Sequence, residues 1–212
     1  MRIGITMRQI SNDTYPERRD ALSDDWGIFI KKIFPQATLV PLLNDPTRVV
    51  KVIKDLDLQA IILSGGNDWG AAPDRDATEK KLISYCVGQK IPLIGVCRGM
   101  QVLNMVFGGK LEENVKKTTG VNHVNIKHTV HIMDNPFFVS KQGKDIVVNS
   151  FHNQGILRDD MSKQLKVFAL SGDIVEGLFC PGKPIVGVQW HPERKGSDFE
   201  FDKRLLKNLF SN

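Results

Sequence analysis

The chain has 212 residues, 41% of them hydrophobic, with a formal net charge of +5 and a pI near 9.1. That size and apolar content support a folded core and exclude a disordered chain, and no stretch approaches the roughly 18 consecutive apolar residues of a membrane span. Its basic residues are dispersed in short clusters such as Lys116-Lys117, which argues against nucleic-acid and membrane partners and leaves anionic small molecules open.

Arg2 to Met7 alternates apolar and polar residues, which predicts a half-exposed first strand, and its apolar stretch is too short for a signal peptide. Leu22, Trp26, Phe29, Ile30 and Ile33 recur at helical spacing, predicting a helix over 17–34 that Pro35 stops. A strand follows at Thr38 to Val40, and Asp45 is expected to cap a helix with Pro46 at its first position. QAIILSGG reads as a buried strand entering a glycine turn, DATEKKLISYCVGQ as a helix, and IPLIGV as another apolar strand. RGMQVLNMVFGG reads as a helix closing on Gly108-Gly109. Short apolar strands alternating with helices predict an α/β fold, doubly wound, with a mostly parallel central sheet and helices on both faces.

The second half changes character. VNHVNIKHTVHIM alternates, placing Val124, Ile126, Val130 and Ile132 on one face, and DIVVNS, QLKVFAL, IVEGLFC and IVGVQW are further strands. These predict a smaller antiparallel extension together with the last elements of the main sheet. The final helix is expected to start at a Ser197/Glu200 capping box. No repeat, low-complexity tract or long linker interrupts the pattern, so residues 1–212 are expected to form one domain.

Three cysteines, Cys86, Cys97 and Cys180, show no disulfide spacing, and a reducing, cytoplasmic setting is expected. Cys86 and Cys180 read as small buried hydrophobes. Cys97 stands where an apolar strand meets a helix, at the carboxyl edge of the predicted sheet, the edge where such folds bind ligands. A sharp turn there strains the middle residue and requires small neighbours two positions away. Gly95 and Gly99 supply them, so Gly-Val-Cys-Arg-Gly is the cysteine form of a nucleophile elbow. The helix N-terminus favours thiolate, and the Arg98 N–H is free to stabilise an oxyanion.

A nucleophilic cysteine needs a base and an orienting group. His191 follows the strand IVGVQW, and Pro192 drives it toward extended geometry, so Glu193 projects to the same side and can orient its ring. Cys97, His191 and Glu193 are therefore the expected triad. Gly66, in the turn after a neighbouring strand, is the expected second oxyanion donor. His123, His128 and His131 raise the question of a metal. Strand alternation turns His128 away from the other two, and no metal site is expected.

The segments GVCRGMQ, LSGGND, VNSFHNQG and GVQWHPE, in that order, resemble the class I glutamine amidotransferase-like superfamily, and RRDALSDDW resembles the same group. The likeness is closest to its free-standing γ-glutamyl hydrolases of the C26 peptidase type. It implies a Cys-His-Glu triad attacking a γ-glutamyl carbonyl through a thioester, with no metal or organic cofactor, and release of L-glutamate and an amine. By the family's pattern Gln101 holds the glutamyl end, and Asn149, Ser150, Phe151 and His152 line the same pocket. Paired glycines followed by Asn67-Asp68-Trp69, where ammonia-supplying subunits usually carry proline, favour a stand-alone hydrolase acting on a small molecule. A glutaminase subunit feeding a synthetase is the alternative, and a catalytically silent binding protein a third reading. The leaving amine is left open among polyamines, amino acids or polyglutamate, and phosphorylated or nucleotide-linked amines. Arg8, Trp69 and Arg98 lie near the inferred mouth as candidate selectors.

Overall fold

Short runs of β-branched and aliphatic residues set the architecture. The computed structural model describes residues 1–12, 14–136 and 143–211. In chain order the first elements are β1 (Arg2–Thr6), β2 (Arg8–Ser11), β3 (Arg18–Ala21), α1 (Asp25–Ile33), β4 (Thr38–Leu42), α2 (Val49–Asp55), β5 (Ala60–Leu63), α3 (Pro73–Gln89), β6 (Leu93–Val96) and α4 (Arg98–Val106). There follow α5 (Val115–Thr119), β7 (Val124–Ile132), β8 (Lys144–Phe151), β9 (Lys166–Ser171), β10 (Ile174–Phe179), β11 (Ile185–Val188) and α6 (Phe199–Phe210).

Nine strands form one sheet in the order β4-β1-β5-β6-β11-β10-β9-β7-β8. The first five run parallel, and the remaining four continue antiparallel. β5, β6 and β11 are buried throughout, as strands covered on both faces must be. On one face α1 and α6 bring Trp26, Phe29, Ile30, Phe201 and Leu205 against Ile3, Ile5, Ile94 and Val188. On the other, α2, α3 and α4 bring Ile53, Leu82, Met100 and Leu103 against Ile61, Leu63 and Leu93. No helix among the described residues is long and apolar enough to cross a membrane.

Three expected boundaries shift. The helix predicted over 17–34 begins only at Asp25, because Arg18–Ala21 pairs with Arg8–Ser11 as a separate hairpin. Asn67 anchors that hairpin, accepting from Gln9 N and donating to Gln9 O, both at 2.8 Å. Asp45 caps a turn instead of α2, accepting from Thr47 N and Arg48 N one turn before the helix. The final helix is capped by Asp198, which accepts from Phe201 N at 3.0 Å, in place of Ser197.

The histidine alternation also needs correction. Val124 pairs with Phe151 while Ile126 pairs with Ser150, so Asn125 is an extra residue in β7, and its φ is +55°. This bulge reverses the side-chain parity between positions 124 and 126, so Val124 is exposed while Val130 and Ile132 are buried. His123 and His128 consequently share a face, their rings 4.7 Å apart. His131 lies on the other face with Asp145. Replacing Asn125 by Val should lower stability by about 1–2 kcal/mol, because a side chain branched at Cβ is strained at positive φ. Asn125→Gly should stay close to wild type; urea unfolding of both variants measures the difference.

Candidate active site

Cys97 sits between β6 and α4 with φ +51° and ψ −106°, a conformation that side chains rarely adopt. Its neighbours explain how the turn closes. A Cβ on Gly95 would stand 2.5 Å from the Gly99 carbonyl carbon, and one on Gly99 would stand 2.3 Å from Leu63 O. Only glycine fits either place. Cys97 N donates to Val188 O at 2.8 Å, and its carbonyl accepts from Met100 N and Gln101 N, starting the helix. Arg98 N belongs to the first turn, whose N–H groups have no partner within the helix.

The second strand end is held by a residue that pattern reading missed. Arg75, fully buried on α3, donates to the carbonyls of Ser64, Gly65 and Gly66 at 2.7, 3.0 and 2.8 Å. Its Nε pairs with Glu79 at 3.0 Å. Glu79 also accepts from Thr6 and pairs with Arg98, which in turn pairs with Asp76. One buried carboxylate thus joins the Gly65-Gly66 turn to the Cys97 turn. Burial alone would raise the Glu79 pKa, but the charges of Arg98 and Arg75 hold it below the usual carboxylate value.

His191 follows β11. Its Nδ1 is 2.7 Å from Glu193 Oε1, and both side chains are almost wholly buried. Asn149 fixes the backbone of His191 from both sides, donating to its carbonyl at 2.8 Å and accepting from its N–H at 2.9 Å. A methyl on Gly65 would come 2.7 Å from His191 Cε1 and 3.6 Å from Cys97 Cβ, so ring and thiol meet over that glycine. Burial alone would raise the Cys97 thiol, and the neighbouring His191 charge pulls it below its ordinary value. Burial alone would lower His191, and the facing Cys97 and Glu193 push it up to about 9. Both shifts run in the direction of a thiolate–imidazolium pair. Cys86, buried with no such partner, is pushed up to about 12, and Cys180 is also raised by burial.

An open cleft of roughly 240 Å³ borders Cys97, with Arg8, Gly66, Phe151, His152 and Arg194 among its walls. Gln101 lines it too, its amide donating to Gln154 O at 2.9 Å. Asn149 and Ser150, expected to line the pocket, do not: Asn149 holds His191, and Ser150 Oγ donates to His123 O at 2.7 Å. The Arg98 side chain is not at the mouth either, since the ion pairs with Asp76 and Glu79 draw it into the interior. Trp69 turns to Lys80, whose ammonium stands 4.9 Å over its ring. Arg194 was not anticipated. It packs its guanidinium 4.9 Å over the Phe151 ring, and its one sequence signal is its place directly after Glu193.

Parallel strands meeting helices at a strained cysteine turn, with a histidine–glutamate pair across from it, define a class I glutamine amidotransferase-like fold. The family model for peptidase C26 matches residues 2–193, and the chain belongs to that family. It is 36% identical over 219 aligned residues to a γ-glutamyl-CDP-amidate hydrolase of Campylobacter jejuni, an alignment covering 100% of this chain and 98% of the relative. A γ-glutamyl-γ-aminobutyrate hydrolase of Escherichia coli O157:H7 is 26% identical over 162 residues, covering 69% of this chain and 63% of the relative. The fold superposes on a glutamine amidotransferase from Thermotoga maritima with a TM-score of 0.63 at 18% identity, covering 97% of this chain and 80% of that one.

Glu79→Ala should cost about 3–5 kcal/mol of stability, because it strands two buried guanidinium groups. Denaturant unfolding would measure the loss. A Glu79 pKa held below its unfolded value means that this contribution is present at neutral pH and fades as pH falls below about 4.5.

Proposed function

We propose that the chain is a cysteine-dependent hydrolase that cleaves the γ-glutamyl amide bond of a small molecule, releasing L-glutamate and an amine. Cys97 is the nucleophile, His191 the acid–base and Glu193 the group that orients it. The observation that carries this reading is Cys97 itself, strained at positive φ, placed at a helix N-terminus and drawn toward thiolate by His191.

In the first half-reaction the Cys97 thiolate adds to the γ-carbonyl carbon, forming a carbon–sulfur bond while charge moves to the carbonyl oxygen. The N–H groups of Gly66 and Arg98 receive that charge, a contribution of about 100-fold or more per donor. The intermediate collapses, the carbon–nitrogen bond breaks, and His191 gives its proton to the departing amine. In the second half, water loses a proton to His191 and adds to the γ-glutamyl thioester. The carbon–sulfur bond then breaks and glutamate leaves. Gln101 stands at the cleft wall to receive the glutamyl end.

The leaving amine is read as a nucleotide-linked, phosphorylated one. The Campylobacter relative, named for a CDP-amidate, aligns along the whole of this chain. Arg8 and Arg194 flank the cleft with the positive charge that phosphate groups require. A solvent-facing site of action in a reducing compartment, the cytoplasm, fits three free cysteines.

Purified protein should release glutamate from γ-glutamyl-CDP-amidate faster than from γ-glutamyl-γ-aminobutyrate or glutamine. Arg194→Ala should raise KM for the nucleotide substrate more than for the other two. Cys97→Ala should abolish turnover with an unchanged circular dichroism spectrum; persistent turnover would refute the assignment, and glutamine cleavage seen only with an added synthetase would support a glutaminase instead. Activity should follow a bell-shaped pH profile. It rises as Cys97 ionises below the ordinary thiol range and falls near pH 9, where His191 loses the proton needed by the leaving amine. Iodoacetamide labelling across the same range tests the acid limb independently.

A further inference from the structure

Around His152, itself part of the cleft wall, lies a second group of titratable side chains that the proposed hydrolysis does not use. Glu176 Oε1 is buried and has no hydrogen bond. Around it stand His128 Nε2 at 3.2 Å, His123 Nδ1 at 3.6 Å and His152 Nε2 at 3.7 Å. His123, His152 and Glu176 are 1%, 4% and 1% exposed, and their donor atoms lie within 4.8 Å of one another.

The tautomer of His152 sharpens the problem. Its Nδ1 is 2.8 Å from Gln154 O, a carbonyl that can only accept, so Nδ1 carries the hydrogen. In the neutral ring Nε2 is then a lone pair facing a carboxylate oxygen. Two acceptors pointed at each other in a dry interior require something between them, either a second proton on His152 or a metal cation. An imidazole whose far nitrogen donates to a backbone carbonyl is also the usual arrangement of a metal-bound histidine. Ligands 2.0–2.1 Å from a tetrahedral zinc ion are about 3.3–3.4 Å from one another. The 3.2–3.7 Å distances to Glu176 are close to that spacing, and the His123 and His152 nitrogens, within 4.8 Å of each other, would draw in around an ion.

Backbone irregularities aim these groups. The Asn125 bulge brings His123 and His128 to one face. In β10, Val175 pairs with Leu170 and Gly177 with Ala169, which makes Glu176 itself an extra residue. Two bulges converging on one buried cluster, next to a cleft, are the mark of side chains deliberately re-aimed.

We propose that His123, His152 and Glu176, completed by His128 after a small side-chain rotation, bind one zinc-type divalent ion. Three imidazoles and a carboxylate suit zinc, and four protein donors make the site structural, with no open position for chemistry. The ion would tie the segment before β7, β7 itself, β10 and the end of β8 together, and so fix the cleft wall that carries Phe151 and His152.

The test uses the full chain carrying Cys97→Ala, which removes the thiol beside the cleft as a competing ligand. After chelator dialysis, zinc is added and the protein is passed through a sizing column for metal analysis, with cobalt(II) titrated in parallel. One zinc per chain is expected, with the visible absorption of a tetrahedral cobalt centre and no thiolate charge-transfer band. Glu176→Gln, close in shape, should weaken zinc binding by more than about 100-fold, beyond the effect of losing an outer-shell partner. His123→Ala should do the same. A folded parent that retains no stoichiometric zinc, or variants that bind as tightly as the parent, would overturn the site. If neither variant folds, the cobalt spectrum of the parent decides, because nitrogen–oxygen and sulfur ligation differ in it.

Discussion

Two strand ends must be held a few ångströms apart for the cleft to exist, and a buried ion network holds them. Arg75 gathers the carbonyls of Ser64, Gly65 and Gly66, Arg98 belongs to the cysteine turn, and Glu79 joins the two guanidinium groups. Buried ion pairs are weak stabilisers, since desolvation offsets most of their attraction. Their value here is directional. An apolar filling of equal volume could pack α3 against α4, but it could not satisfy three turn carbonyls that the sheet leaves open.

Strain at Cys97 is tolerable because the surroundings over-determine it. Two glycines press backbone against backbone on either side, and the cysteine's own N–H and carbonyl are hydrogen-bonded. A third glycine, Gly65, gives room for the imidazole. Small residues are therefore concentrated where chain segments approach too closely for a Cβ, and the polar residues between them hold the gap open.

Much of this was legible in the sequence. Apolar runs such as IPLIGV revealed the parallel strands, and glycine spacing revealed the turn at Cys97, because both follow from local sterics. Glu193 was legible through Pro192. What stayed hidden was non-local. Arg75 and Glu79, four apart amid charged neighbours, look like a solvated helix face, and only tertiary packing buries them. The hairpin of Arg8–Ser11 and Arg18–Ala21 carries too few apolar residues to show a strand period. The bulge at Asn125 broke an alternation that otherwise reads cleanly, and with it the inference about His128. Asn149 lay in a segment assigned to the pocket, yet its amide is spent on the backbone of His191.

The pairing of β11 with β6 has a mechanical corollary. Val96 is level with Val188, so Cys97 leaves one strand one step beyond that rung and His191 leaves the other three steps beyond it. Sulfur and ring are thus spaced by a ladder of main-chain bonds, much as two teeth are spaced on meshed racks. Slipping the rack by a single residue would carry the ring about 3.3 Å along the strand, out of reach of the sulfur, whereas exchanging side chains on the outer surface leaves the gearing untouched.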